Sequence, residues 1–535
     1  MCGIFAIHKT NEKLNIVHPF FQNLKNRGPD SSELLYVTDD TLMGFHRLNI
    51  VNLTDEGKQP YSYTSDAQKT WCVCNGEIYN YKMFNLTSAG SDCHVILPLL
   101  NVMKQRYTDY TQSLHALFNA LDGVFATIIW DGTQLIVSRD PFGVRPLFIG
   151  KRGDSFAFSS EMKGFHDLCT DIKQFPPGSF WTSGDNTYHR YYEYVYPELY
   201  LEKELILTNI RSLLTTAVQK RLMSERSIGC LLSGGLDSSL ITSIVVREMK
   251  KHNKDAIVQT FTIGMPGSPD LDYADKVADF LGTKHHRVEI GEDEFLKALH
   301  DVIYTIESYD TTTVRASVGN YLIGKYIKQN TDCTVIFNGD GSDEQSGYLY
   351  LKNAPSESEF KQECIKLLSN ICYFDVLRSD RCISSKWSLE ARTPFLDKTF
   401  VAFYMSIPSQ FKMYTTDIEK KLLREAFDDK DQPYLPQQVL WRQKEAFSDG
   451  CSSNGRSWHT VIAEHVDTFF SDHEFATENN YTYNKPVLKE SYFYRKIYEI
   501  YYKNTEIIPY YWLPKWTKSK DPSARTLEHY QRQSD

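Results

Sequence analysis

The sequence predicts two domains of different fold class, an α+β domain on antiparallel sheets followed by an α/β domain on a parallel sheet. Two patterns carry this. Up to about residue 175, short strand-like runs follow one another across turns with few helical stretches between them. After Glu202, apolar strand-like runs alternate with stretches of helical periodicity. A segment rich in Pro, Gly and Tyr, residues 175–200, separates the two and divides the chain into domains 1–200 and 201–535.

In the first domain, strands are expected at 4–7, 42–45, 71–74, 124–130, 135–138 and 156–159. In the second, a strand at 228–232 runs into a Gly-rich turn. A helix follows, whose Leu236, Leu240, Ile241, Ile244, Val245 and Met249 form one stripe. Strand 257–263, helix 273–281, strand 286–290, helix 294–307 and strand 334–338 continue the alternation, and beyond about Phe360 the pattern is mostly helical. Lys+Arg of 59 against Asp+Glu of 68 gives a formal charge of −9, which argues against a nucleic-acid partner. No apolar run approaches the ~20 residues that span a bilayer, so no membrane association is expected. The 11 cysteines are odd in number and form no C-x-x-C pair, and the N-terminus lacks a basic n-region. Reduced thiols in a soluble, cytoplasmic protein are the expectation.

Residues 231–239, Leu-Leu-Ser-Gly-Gly-Leu-Asp-Ser-Ser, stand where a strand feeds a helix. Gly234 and Gly235 let the backbone approach a phosphate, and the first-turn N–H groups point at that anion. Ser233, Ser238 and Ser239 add hydroxyl donors. Asp237 helps only if a divalent cation bridges it to the phosphates. No Lys follows the glycines, so this is not a Walker A loop. A second acidic turn, residues 338–344 (Asn-Gly-Asp-Gly-Ser-Asp-Glu), follows another strand, and loops at the carboxyl ends of parallel strands share one crevice. At the other end, removal of Met1 would leave Cys2 with a free α-amine beside its thiol, nucleophile and base in one residue. Asn75 and Gly76 suit an oxyanion, Arg47 a carboxylate, and Glu77 and Asp92 an ammonium. Those are the parts needed to bind an α-amino acid and cleave its side-chain amide.

Residues 2–5 (Cys-Gly-Ile-Phe), 27–30 (Arg-Gly-Pro-Asp), 75–80 (Asn-Gly-Glu-Ile-Tyr-Asn) and 139–147 resemble the class II glutamine amidotransferases. Residues 233–239, Tyr309-Asp310, 312–317, Trp441-Arg442, 444–450 and 511–527 narrow the resemblance to the glutamine-hydrolysing asparagine synthetases of eukaryotic type, over nearly the whole chain. The resemblance implies an N-terminal-nucleophile (Ntn hydrolase) αββα domain and an ATP-pyrophosphatase domain, adenine nucleotide α-hydrolase-like. It implies glutamine hydrolysis through a Cys2 thioester, with Asn75 and Gly76 as oxyanion hole. Arg47, Leu48, Asn49, Ile50, Val51, Asn75, Gly76, Glu77 and Asp92 would bind glutamine. MgATP would activate the aspartate β-carboxylate as β-aspartyl-AMP, which ammonia from an internal tunnel converts to asparagine. Leu231, Ser233, Gly234, Gly235, Asp237, Ser238, Ser239, Ile263, Asn338 and Gly339 match ATP-binding positions. Thr312, Thr313 and Arg315 match positions near aspartate, and Asp237 and Asp343 match Mg²⁺ ligands. Asp340 and Lys444 match catalytic positions, and a lysine cation there would offset charge on departing pyrophosphate. Only small-molecule partners and a homodimer are implied.

The chain departs from the resemblance at Asn26, Thr393 and, above all, at Asn338 and Asp340, where the pattern has Ser and Glu. Asp340 keeps the charge on a side chain one methylene shorter. Two other readings stay open: a related synthetase that adenylates a different carboxylate, as in β-lactam synthetase, and a non-enzymatic paralogue acting as a binding partner.

Overall fold

The computed structural model describes residues 1–523 except 66, 87–89, 415–417, 445–449 and 454–455. Two compact units result. The first comprises Met1–Tyr194 with the short pieces Met223–Arg226 and Ser384–Glu390, and the second holds the remainder.

In the first unit the described strands form two six-stranded sheets. One runs, in spatial order, Thr170–Gln174, Phe148–Arg152, Ser155–Ser159, Gly3–His8, Thr41–Arg47, Ser31–Tyr36. The other runs Tyr188–Arg190, Ser179–Thr182, Leu135–Arg139, Gly123–Trp130, Gln68–Ile78, Tyr61–Ser65. Alternation along the strands decides which side chains meet. Val73 packs with Ile4, Ala6 and Phe45 between the sheets. Its neighbours Cys72 and Cys74 point the other way, onto helices Ile96–Arg106 and Tyr110–Ala120. Helix Leu14–Gln22 covers the outer face of the first sheet, where Phe21 stacks on His46. The layers are therefore αββα.

The structure refines two sequence expectations. Residues 175–200, read as the end of the first domain plus a linker, hold two strands of that domain, because Ser179–Thr182 and Tyr188–Arg190 pair there, with Phe180 and Trp181 fully buried. The flanking Pro and Gly residues hide this β-forming run from a composition reading. The helix expected over 294–307 divides into Glu292–Lys297 and Leu299–Ile306.

The second unit is built on a sheet ordered Lys284–Glu289, Gln259–Gly264, Ile228–Leu231, Val335–Phe337, Glu390–Arg392. The first four strands are parallel. Moving outward from Ile228–Leu231, the chain proceeds one way through the next two strands and returns to its other side with Val335–Phe337. That reversal opens a crevice at the carboxyl ends of these two central strands, where ligands bind in doubly wound sheets. Among the described residues no helix is long and apolar enough to cross a membrane.

Candidate active site

Around Cys2 the first unit concentrates the predicted residues at the edges of its two sheets. Strand Gly3–His8 places Cys2 so that its backbone N–H donates to Asn75 Oδ1 at 3.0 Å, and Arg27 Nε donates to its carbonyl at 2.9 Å. The thiol lies 3.8 Å from the Leu48 carbonyl, and burial pushes it up to about 11. Asn75 is wholly buried, and its Nδ2 has no hydrogen-bond partner among the described residues. An amide donor left unpaired beside a nucleophile is the arrangement an oxyanion requires. Gly76 is obligatory beside it, since a Cβ there would stand 2.2 Å from the Val124 carbonyl oxygen. Asp92 Oδ2 accepts from Ile78 N at 2.6 Å, which sets its carboxylate at the end of the strand carrying Glu77. Leu48 and Ile50 are buried, and Asn49 N donates to Asp30 at 2.7 Å. Arg47 differs from the expectation of a fork held out to a carboxylate. Its guanidinium donates to the carbonyls of Thr54 and Asn52, so it braces the loop that contains Leu48, Asn49, Ile50 and Val51.

Met1 is itself buried, 2% exposed, with its amine 3.7 Å from Glu390. Burial holds that amine below its ordinary value.

In the second unit the crevice holds a cavity of about 1080 Å³. Its apolar end is lined by Leu231, Phe261 and Ile263, and its polar end by Ser233, Gly235, Asp237, Ser238, Asn338 and Gly339. Gly235 caps helix Leu236–His252. Gly234 adopts φ +71, and a Cβ there would lie 2.5 Å from Ala274 N, so the turn admits only glycine. Gly234 and Ser239 shape the loop from behind and do not line the cavity. The two loops meet where Ser342 Oγ donates to Asp237 Oδ1 at 2.8 Å.

Two lysines hold the two acids. Lys420 Nζ lies 2.7 Å from Asp237 Oδ2 and 2.5 Å from Asp343 Oδ1, while Lys444 Nζ lies 3.0 and 3.1 Å from the same two carboxylates. Burial would raise the Asp237 carboxyl, but Lys420 and then Lys444 hold it well below the usual carboxylate range. Burial likewise opposes the charge on Lys444, and Asp343 and Asp237 outweigh it.

A second cavity, about 620 Å³, shares Asp343, Glu344, Arg378 and Lys444 with the first. Thr312 lines it.

The sequence matches the asparagine synthase family over residues 209–357 and 350–499, and the glutamine amidotransferase domain family over residues 1–179. The chain belongs to the asparagine synthase family. It is 39% identical to the glutamine-hydrolysing asparagine synthetase of Gallus gallus and 38% identical to that of Homo sapiens, covering 99% of both chains in each case.

Two residues matched to aspartate lie elsewhere. Thr313 donates through N and Oγ1 to Asp310, capping helix Thr311–Asn330. Arg315 is 4% exposed and clamped between Glu490, at 2.8 and 2.5 Å, and Asp521, at 2.8 and 2.9 Å. Arg315→Ala strands the buried Glu490 carboxylate and the half-buried Asp521 carboxylate and is expected to destabilise the second unit by ~3 kcal/mol. Arg315→Lys does not restore the bidentate geometry. A lysine variant that melts normally and only raises the aspartate KM would contradict the clamp.

Asp340 is fixed at both oxygens. Arg378 donates to Oδ1 at 2.9 Å and Asn338 Nδ2 to Oδ2 at 3.0 Å, while Asp340 N returns a bond to Asn338 Oδ1 at 3.3 Å. The two departures at this loop therefore hold one another. Asn338→Ala is expected to slow AMP formation about tenfold, since small misplacements at a reacting centre are costly. Restoration by the paired change Asn338→Ser with Asp340→Glu, and not by either alone, checks the coupling.

Sequence reading missed Lys420, Arg378 and Asp375 at these cavities. Glu344, directly after Asp343, and Trp512, within residues 511–527, lay in segments already singled out, though neither was given a role there. Residues 445–449 and 524–527, part of the resemblance, lie outside the described residues.

Proposed function

We propose that this chain makes L-asparagine from L-aspartate and ATP, with ammonia from L-glutamine hydrolysis, releasing L-glutamate, AMP and pyrophosphate. The observation that carries the reading is the junction of the two cavities. A cavity with a glycine- and serine-lined helix N-terminus at one end shares Asp343, Glu344, Arg378 and Lys444 with a second, smaller one. An acceptor carboxylate entering there meets an α-phosphate beside two lysines.

In this reading Leu231 and Ile263 hold adenosine, and Ser233, Gly235, Ser238 and the helix N-terminus hold the phosphates. Lys444 and Lys420 offset negative charge on pyrophosphate as it departs. Asp237 and Asp343 suit Mg²⁺, because they are hard oxygen donors close enough together for one Lys420 ammonium to touch both. When bound, Mg²⁺ supplies further neutralisation of the phosphates. In the first unit Cys2, freed of Met1, attacks the glutamine amide, Asn75 Nδ2 receives the oxyanion, and Glu77 and Asp92 take the ammonium end. We read the domains as 1–200 and 201–535, and the assembly as a cytoplasmic homodimer.

Product analysis tests this. With aspartate and MgATP, asparagine and AMP are expected in equal amounts from either glutamine or ammonium. Cys2→Ala is expected to lose only the glutamine-dependent reaction. Absence of AMP in both runs would overturn the reading, and AMP formed with another acid would favour a different acceptor.

A further inference from the structure

The second cavity sets three acids, Asp343, Glu344 and Asp375, beside two bases, and one carboxyl oxygen among them has no hydrogen-bond partner among the described residues. Lys444 is committed to Asp237 and Asp343, and Arg378 to Asp340 at 2.9 Å and Asp375 at 3.1 Å. Glu344 is 6% exposed, and its Oε2 has no hydrogen-bond partner among the described residues. Burial, and then the neighbouring carboxyls of Asp375 and Asp343, raise the Glu344 carboxyl well above the usual range, and a side-chain hydrogen bond joins it to Asp375. A buried carboxyl oxygen without a donor is costly, and Glu344 is one of the residues lining the second cavity. Among the described residues no three acids are grouped so as to hold a metal ion. What the site lacks is a cationic N–H donor.

The layout gives that donor a direction. Lys444 stands at the junction with the nucleotide cavity, whereas Asp375, Leu367 and Trp512 line only the second cavity. A ligand that extends a carboxylate toward Lys444 therefore places its other end near Asp375. A primary ammonium offers three N–H donors, enough for both Glu344 and Asp375.

We propose that Glu344 and Asp375 together bind the α-ammonium of the acceptor amino acid and so select it over a dicarboxylic acid lacking an amine. This rests on reading the second cavity as the acceptor site. Asp343 belongs to the phosphate end and takes no part. Arg378 is a positioning residue that ties Asp375 to Asp340, fixing the distance between the ammonium end and the reacting end of the acceptor.

The test uses the full chain and its near-isosteric variants Asp375→Asn and Glu344→Gln. AMP release is followed with aspartate, and succinate serves as alternative substrate or competitive inhibitor. Loss of a charge-assisted hydrogen bond is expected to raise the aspartate KM about 10- to 100-fold in each variant. The ATP KM should change less than about threefold. Succinate, which lacks the amine, should bind the variants as well as it binds the parent, so the preference for aspartate over succinate collapses. A merely structural role for these acids would weaken both ligands together and leave that preference intact, which would overturn the proposal. A rise in the ammonium KM in place of the aspartate KM would overturn it too, assigning the pair to the incoming nitrogen. If the unaltered protein releases no aspartate-dependent AMP, the acceptor reading itself fails. If it does, and the variants keep their preference for aspartate, only the ammonium site fails.

Discussion

Lys420→Met is expected to reduce ammonia-dependent asparagine formation by about 10²- to 10³-fold while glutamate release from glutamine continues. Lys420 caps helix Lys421–Ala426 at φ 57, a left-handed conformation that a lysine adopts only when its surroundings compel it. Its side chain is fully buried, and its ammonium reaches both oxygens of Asp237, one of Asp343, and Ser342 Oγ at 3.3 Å. Two lysines and two aspartates make the cluster neutral. Removing one lysine leaves a buried negative charge, a defect that costs ~3–5 kcal/mol. A divalent cation between the same carboxylates would repair it. The melting temperature of the variant should therefore rise more steeply with Mg²⁺ than that of the unaltered protein, which separates electrostatic loss from general misfolding. Synthesis within threefold of the unaltered rate would contradict the role given to Lys420.

Protein that retains Met1 is expected to hydrolyse glutamine about 10²- to 10⁴-fold more slowly than processed protein, the range a positioned general base supplies. With Met1 present, the Cys2 nitrogen is an amide that donates to Asn75 and cannot accept a proton. The thiol, raised to about 11 by burial, is ionised in roughly one molecule in ten thousand at pH 7. The pH dependence should differ accordingly. In processed protein, kcat/KM should rise with pH as an α-amine of pKa ~7.7–8 loses its proton. In the Met1 form, a residual rate should go on climbing toward about 11 as thiolate accumulates. Intact mass identifies the two forms, glutamate release measures them, and equal rates would remove the amine from the mechanism. Met1 is only 2% exposed, so a peptidase that removes it would have to act before the first unit closes over it.

Some of this site is legible from letters alone. Residues 231–239 and 338–343 advertise themselves because glycines, serines and acids cluster where strands end, and the strand order then brings them together. Lys420 and Arg378 lie in stretches whose composition resembles any amphipathic helix, and only their burial and backbone set them apart. Arg315 shows the converse. Its letter suits a substrate carboxylate, yet the partners that claim it, Glu490 and Asp521, are 175 and 206 residues away. No local pattern reveals so distant a pairing. For the same reason residues 384–390 gave no sign of joining the first unit. The strands at 179–182 and 188–190 were obscured by neighbouring prolines and glycines, although Phe180 and Trp181 are typical core residues of a sheet.

Trp512 forms part of the acceptor cavity while its carbonyl accepts from Thr312 Oγ1 and its N–H donates to Asp310. Thr312 and Trp512 are 200 residues apart, whereas among the described residues the first cavity has no lining residue beyond Lys444. The second cavity thus takes one wall from a segment that contributes nothing to the described lining of the first, so a change at Trp512 reaches acceptor capture and leaves the described nucleotide contacts in place.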